Sequence, residues 1–114
     1  MKTTTYTAII AIAALFSIGC ATVDITKTGA GYFAPTDPNN VEILMTVPSK
    51  PYVELGTLTV NGFDSRDEAK MHNAIRAKAA PLGATSVIIQ SQGMIPAGFG
   101  TYQRWATGAA IRYK

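Results

Sequence analysis

Apolar residues are distributed in two different ways along this chain. Near the start they run together: Ala8–Ile18 holds ten apolar residues and one serine, with no charge. Further on they are spaced. Val41–Val47 and Tyr52–Val60 are rich in β-branched and apolar residues, which predicts two strands. Pro48 and Pro51 bracket the turn between them, since proline stops a hydrogen-bond ladder and fixes the backbone. Gly56, inside the second run, predicts a bulge or a close backbone approach. Asn61-Gly62 predicts a turn, and Ser65 and Glu68 have the spacing of a capping box. The helix that follows is predicted from about Arg66 to Pro81 or Leu82. Met71, Ile75, Ala79 and Leu82 fall on one apolar stripe of it. Arg66, Lys70 and Asn73 face outward, while Lys78 lies nearer the stripe and has to snorkel. Pro81 tightens the last turn, and Gly83 is placed to end the helix in a left-handed conformation.

Thr85–Gln90 reads as a short buried strand and Gln92–Gln103 as a glycine-punctuated loop. Arg104–Lys114 is the last strand, with Trp105, Thr107, Ala109, Ile111 and Tyr113 on one side. The order β-β-α-β-β predicts an α+β fold, a small four-stranded antiparallel or mixed sheet with one helix packed on a face. Residues 41–114 form this single domain. Residues 20–40, rich in Thr, Gly, Pro and Asn, read as a flexible tether, with Tyr32 and Phe33 set against the domain edge. A core drawn from roughly 75 residues is thin. The strand bearing Trp105 and Tyr113, together with the helix stripe, has to supply much of it.

The uninterrupted apolar run has a different meaning. It follows a short polar start whose one charged side chain is Lys2, and small residues close it, which is the layout of a signal peptide over residues 1–19. A spanning helix needs roughly 20 apolar residues, and this run is too short for one. The segment Ser17-Ile18-Gly19-Cys20-Ala21 resembles the lipobox of bacterial lipoproteins, with Ser17 where leucine is usual. The resemblance implies cleavage after Gly19, a diacylglycerol thioether on the Cys20 sulfur and acylation of the new amine. Ala21 after the cysteine implies sorting to the outer membrane, with the domain in the periplasm. Cys20 is the one cysteine of the chain, and acylation would leave no unpaired thiol in an oxidising compartment.

Without Lys2, nine Lys/Arg stand against seven Asp/Glu, too mild an excess to indicate nucleic acid. No hydrolase constellation is legible: His72 is the one histidine, and no nucleophile elbow occurs. His72 therefore reads as a helix surface or boundary residue. One histidine and an acylated cysteine do not make a zinc site, and Asp64, Asp67 and Glu68 suit a helix start without calcium-loop spacing. Gly93, Gly98 and Gly100 are not followed by the Gly-Lys-Ser/Thr of a phosphate loop. Arg104, Arg112 and Lys114 read as solvation of an edge strand. The expectation is a protein without catalytic residues, cofactor or metal. The segment Gly93–Tyr102 stands out, because Met94, Ile95, Phe99 and Tyr102 are large apolar residues in a glycine-rich stretch. Folding back over the open sheet face is one use for them; a partner or ligand surface is the other.

Pro35–Pro38, Val41-Glu42-Ile43, Leu55-Gly56, Ile75–Ala84 and Gly108–Tyr113 resemble a group of small proteobacterial lipoproteins. Lys78–Ala84 is more distantly similar to the Rcs envelope-stress sensor lipoprotein. The resemblance implies a compact sheet-plus-helix domain; the sensor's disulfides have no counterpart here. Two functions follow as expectations. One is a non-enzymatic interaction, sensor or accessory protein held at the membrane through acyl chains on Cys20, binding an envelope protein by a sheet edge or by Gly93–Tyr102. The other is a periplasmic small-ligand-binding protein whose aromatic Gly93–Tyr102 segment closes over a pocket.

Overall fold

The computed structural model describes residues 21–29 and 31–114. Five strands and one helix organise them: β1 (Thr22–Lys27), β2 (Glu42–Leu44), β3 (Tyr52–Asp64), α1 (Glu68–Ala79), β4 (Ser86–Gly98) and β5 (Thr101–Tyr113). The strands lie in the order β1-β3-β5-β4-β2. All neighbours are antiparallel except β2 and β4, which run parallel, so the sheet is mixed. The α+β architecture with one helix on the sheet follows the sequence pattern.

The strand count does not. The sheet has five strands rather than four, because Thr22–Lys27, inside the segment read as a tether, pairs with β3 from Thr22↔Asn61 to Lys27↔Gly56. Its alternation places Val23 and Ile25 in the core and leaves Asp24 exposed. At the other edge β2 is shorter than the predicted 41–47 and covers three residues.

β3 carries two bulges, one between Glu54 and Gly56 and one between Val60 and Phe63. Each inserts an extra residue and so reverses which side chains face α1. That is how Leu55, Leu58, Val60 and Phe63, whose spacings are not uniformly even, all enter one core. Gly56 serves both expected purposes: a Cβ there would stand 2.6 Å from the Thr26 carbonyl oxygen of β1. The Asn61-Gly62 turn is instead absorbed into the second bulge, Gly62 having a φ of 82°.

α1 begins at Glu68, two residues later than predicted, and the capping box does not form. Asp64 displaces it, because its Oδ1 accepts the Arg66 backbone N–H at 2.9 Å and holds the chain in a turn before the helix. The stripe is as expected, with Met71, Ile75 and Ala79 fully buried. Pro81 lies in a 3-10 turn, Ala80–Leu82, and Gly83 closes it at a φ of 86°. A side chain at Gly83 would be strained and would also meet Phe33, whose Cβ lies 2.6 Å from the position a Cβ would take.

In β5 the two sides have different partners. Ala106 and Ala110 join the cluster of Met71 and Ile75, so the small even-numbered residues lie under α1. Ala109 and Ile111 form a separate cluster with Ile88, packed by Leu44, Tyr52 and Tyr113. Small residues on the helix side let α1 approach the sheet closely. Ile111 and Tyr113 serve the second core instead.

Candidate functional site

Gly19 and Cys20, the cleavage and lipid-attachment positions implied by the lipobox resemblance, lie outside the described residues. The remaining candidates, Met94, Ile95, Phe99 and Tyr102, do not form a loop and do not fold over the sheet. β4 and β5 run on as a hairpin through Met94↔Arg104, Ile95↔Gln103 and Pro96↔Tyr102 to Gly98↔Thr101. The last β3 partner is Asp64, opposite Gln103, and β2 pairs with β4 only at Ser86–Ile88. Beyond Gln103 the hairpin is therefore a two-stranded arm. Pro96 is tolerated in it because the outer edge of β4 is unpaired there.

Phe99-Gly100 is the two-residue tip, with φ of 54° and 74°. Positive φ at both central residues is the requirement of a type I′ hairpin turn, which normally selects Asn-Gly. Thr101 Oγ1 donates to the Gly98 carbonyl at 2.6 Å and closes it. Phe99 is completely exposed, at 107% of its reference area, and Met94, Ile95 and Tyr102 are each about half exposed. Cross-strand neighbours share a face, so Met94, Pro96 and Tyr102 lie on one side of the arm and Ile95 on the other.

The base of the arm is tied to the start of α1. The Ser65 backbone N–H donates to the Tyr102 carbonyl at 3.0 Å. Arg104 Nε donates to the Ser65 carbonyl at 2.7 Å, and its Nη2 lies 3.5 Å from Glu68 Oε2. Asp64 pairs with Arg66 at 3.0 and 3.1 Å. Hydrogen bonds from the Arg66 side chain and backbone lower the Asp64 pKa to about 2. The carboxylates that could have held a cation thus brace a corner, and among the described residues no group of His, Cys, Asp and Glu assembles a metal site.

His72 is a boundary residue, its side chain 18% exposed and its Nε2 3.8 Å from Glu68 Oε1. Burial pushes its pKa down, Glu68 opposes this, and Arg76 and Arg104 add to it. The imidazole is accordingly neutral at pH 7, and the contact with Glu68 is not an ion pair there.

A concavity that the sequence pattern did not announce lies elsewhere on the domain. A groove of about 600 Å³ opens between β1 and the flank of α1. Ala21, Val23, Ile25 and Phe63 line it from the sheet, and Ala74, Ala77, Lys78, Pro81 and Leu82 from the helix side. None of these residues belongs to the arm, so the aromatic segment does not close over this groove. Val23 and Ile25 alternate with polar residues, which was a signal for β1, but one set among Thr and Gly.

No family model matches the chain, and no curated protein matches it. Among solved structures it is similar to the Francisella virulence factor FvfA, with a TM-score of 0.54 at 14% sequence identity. The match covers 80% of this chain and 98% of that one. At that identity the likeness concerns the fold.

Proposed function

We propose that this is a lipid-anchored protein of the bacterial envelope that acts by docking and not by catalysis, with the β4–β5 arm as its docking element. The observation that carries the reading is Phe99: a large aromatic, wholly exposed, in a left-handed backbone position that suits Asn or Gly. Packing does not account for it, because neither core includes any residue from Gly93 to Trp105. The signal-peptide pattern and the Cys20 lipobox support the anchor and an outer-membrane address, with the domain in the periplasm.

Intact mass and membrane fractionation of the native protein beside Cys20→Ser test the anchor. The expected native mass is Cys20–Lys114 plus acyl chains, recovered with membranes, and the Ser variant loses both features. An unacylated native chain in the soluble periplasm overturns the reading.

The groove supports a second reading, a binding site for a small apolar ligand. Its volume lies within the ~300–1,000 Å³ usual for ligand sites, and its lining is apolar apart from Lys78. An apolar probe that raises the melting temperature of the native chain, but not of Ala74→Trp, would favour it.

A further inference from the structure

We infer that the arm is a membrane-inserting element, whose apolar tip enters the same bilayer that receives the acyl chains of Cys20. This rests on the anchored reading above and names what the arm docks on.

Strand register supplies the first argument. Thr22 stands beside Asn61, and Asn61 lies between the β3 residues that pair with Ala106 and Arg104. The start of β1 is therefore level with about Trp105 of β5, and β1 and β5 run in the same direction. At ~3.3 Å per residue and ~4.8 Å per strand, Thr22 lies about 13 Å from the start of β5 along the strands and about 10 Å to the side. Cys20 precedes Thr22 by two residues in the sequence. The chain enters β1 at the end of the sheet from which the tip projects. A surface that takes up the acyl chains stands within reach of Phe99.

Composition supplies the second argument. No charged residue occurs between Lys78 and Arg104. The first cation below the tip, Arg104, is held at the arm's base by Ser65 and Glu68. The exposed apolar side chains occupy both faces of the arm and its end, an arrangement suited to a medium that surrounds the tip. A protein groove would usually cover one face. Tyr102, paired with Pro96, sits where an aromatic with a polar end favours the headgroup level.

The backbone limits the depth. The outer edges of a two-stranded arm carry unpaired N–H and C=O groups, which hydrocarbon does not tolerate. The tip therefore enters only to the boundary of headgroups and acyl chains, ~5–10 Å deep. A wedge of this kind fixes the tilt of the domain on the membrane, which acyl chains alone leave free.

The test uses the acylated full-length protein carrying Phe99→Trp and Trp105→Phe, reconstituted into phosphatidylethanolamine–phosphatidylglycerol vesicles with or without bromine in the acyl chains. The expected result is co-sedimentation with vesicles, a blue-shifted emission, and loss of roughly half the intensity on bromination, as shallow insertion implies. Where Trp105→Phe weakens the fold, Phe99→Trp alone, read as the difference from the unaltered chain, gives the same signal. Vesicle-bound protein with red, unquenched emission overturns insertion while leaving the anchor standing, and assigns the arm to a protein partner. Protein that stays in the supernatant overturns both.

Discussion

The indole of Trp105 lies across the backbone of Gly93, its partner on the neighbouring strand. A Cβ at position 93 would stand 2.8 Å from Nε1 and 2.9 Å from Cε2 and Cζ2 of that ring. An aromatic laid over a cross-strand glycine covers the gap that the missing side chain leaves. Gly93→Ala pushes the ring off this seat and is expected to destabilise the domain by about 1–3 kcal/mol, the usual cost of overpacking. Thermal unfolding measures the loss, and a shift of Trp105 emission locates it. An unchanged melting temperature would mean that the ring moves aside at no cost.

Phe99 makes the opposite prediction. Its left-handed conformation costs a bulky L-residue about 1–2 kcal/mol relative to the right-handed region. Phe99→Asn installs the Asn-Gly pair that a type I′ turn prefers. The variant is expected to melt a few degrees higher than the native chain and to lose the arm's docking. A gain in stability together with lost vesicle quenching in a suitably labelled arm identifies Phe99 as kept for its surface.

His72 sets a pH dependence with a definite sign. Burial lowers its pKa below the ordinary 6.5, so between that value and its folded pKa the unfolded chain binds more protons than the folded one. Stability is therefore greatest above pH 6.5, declines as pH falls through the folded pKa, and then levels. His72→Gln is expected to flatten this part of the profile. Asp64 acts in a lower window, its contribution fading as pH drops from 3.8 toward about 2, so the two are separable. Melting curves of both chains between pH 7.5 and 5 that run parallel would rule out His72 as the source.

Ser86 is fully buried at the start of β4, and its Oγ finds no hydrogen-bond partner among the described residues. An unpaired buried hydroxyl costs about 1–3 kcal/mol. Ser86→Ala is expected to raise stability by about 1 kcal/mol, or roughly 4–8 °C in a domain of this size. A drop in melting temperature would show that the hydroxyl is bonded in solution.

The parts of this fold legible in the sequence are those where local chemistry and packing agree. α1 has a stripe that falls on one face, and Gly83 is a residue that only a left-handed cap requires. Gly56 announced a bulge or a close backbone approach, though not that the approach is to Thr26 in a fifth strand. β1 was hidden because two apolar residues in six are a weak alternation beside Thr and Gly. The arm was hidden for another reason. Gly98, Gly100 and Pro96 read as breakers, and the tip carries Phe99 where the hairpin signal is Asn. The same departure that concealed the hairpin marks the candidate site. The sequence pattern put the large residues of β5 on one side but did not say which side meets α1; close helix packing selects the alanines.

The strand order has a consequence for how the chain becomes structured during synthesis. β5 is the last of the described strands to be made, yet it lies in the middle of the sheet, between β3 and β4. Until Tyr113 is available, β1 and β3 form one isolated pair and β2 and β4 another, and two-stranded pairs are marginal in water. The polypeptide cannot assemble its sheet piecemeal from the N-terminal end. The two outer pairs have no shared neighbour until β5 has been made. Closure then arrives in a single late event.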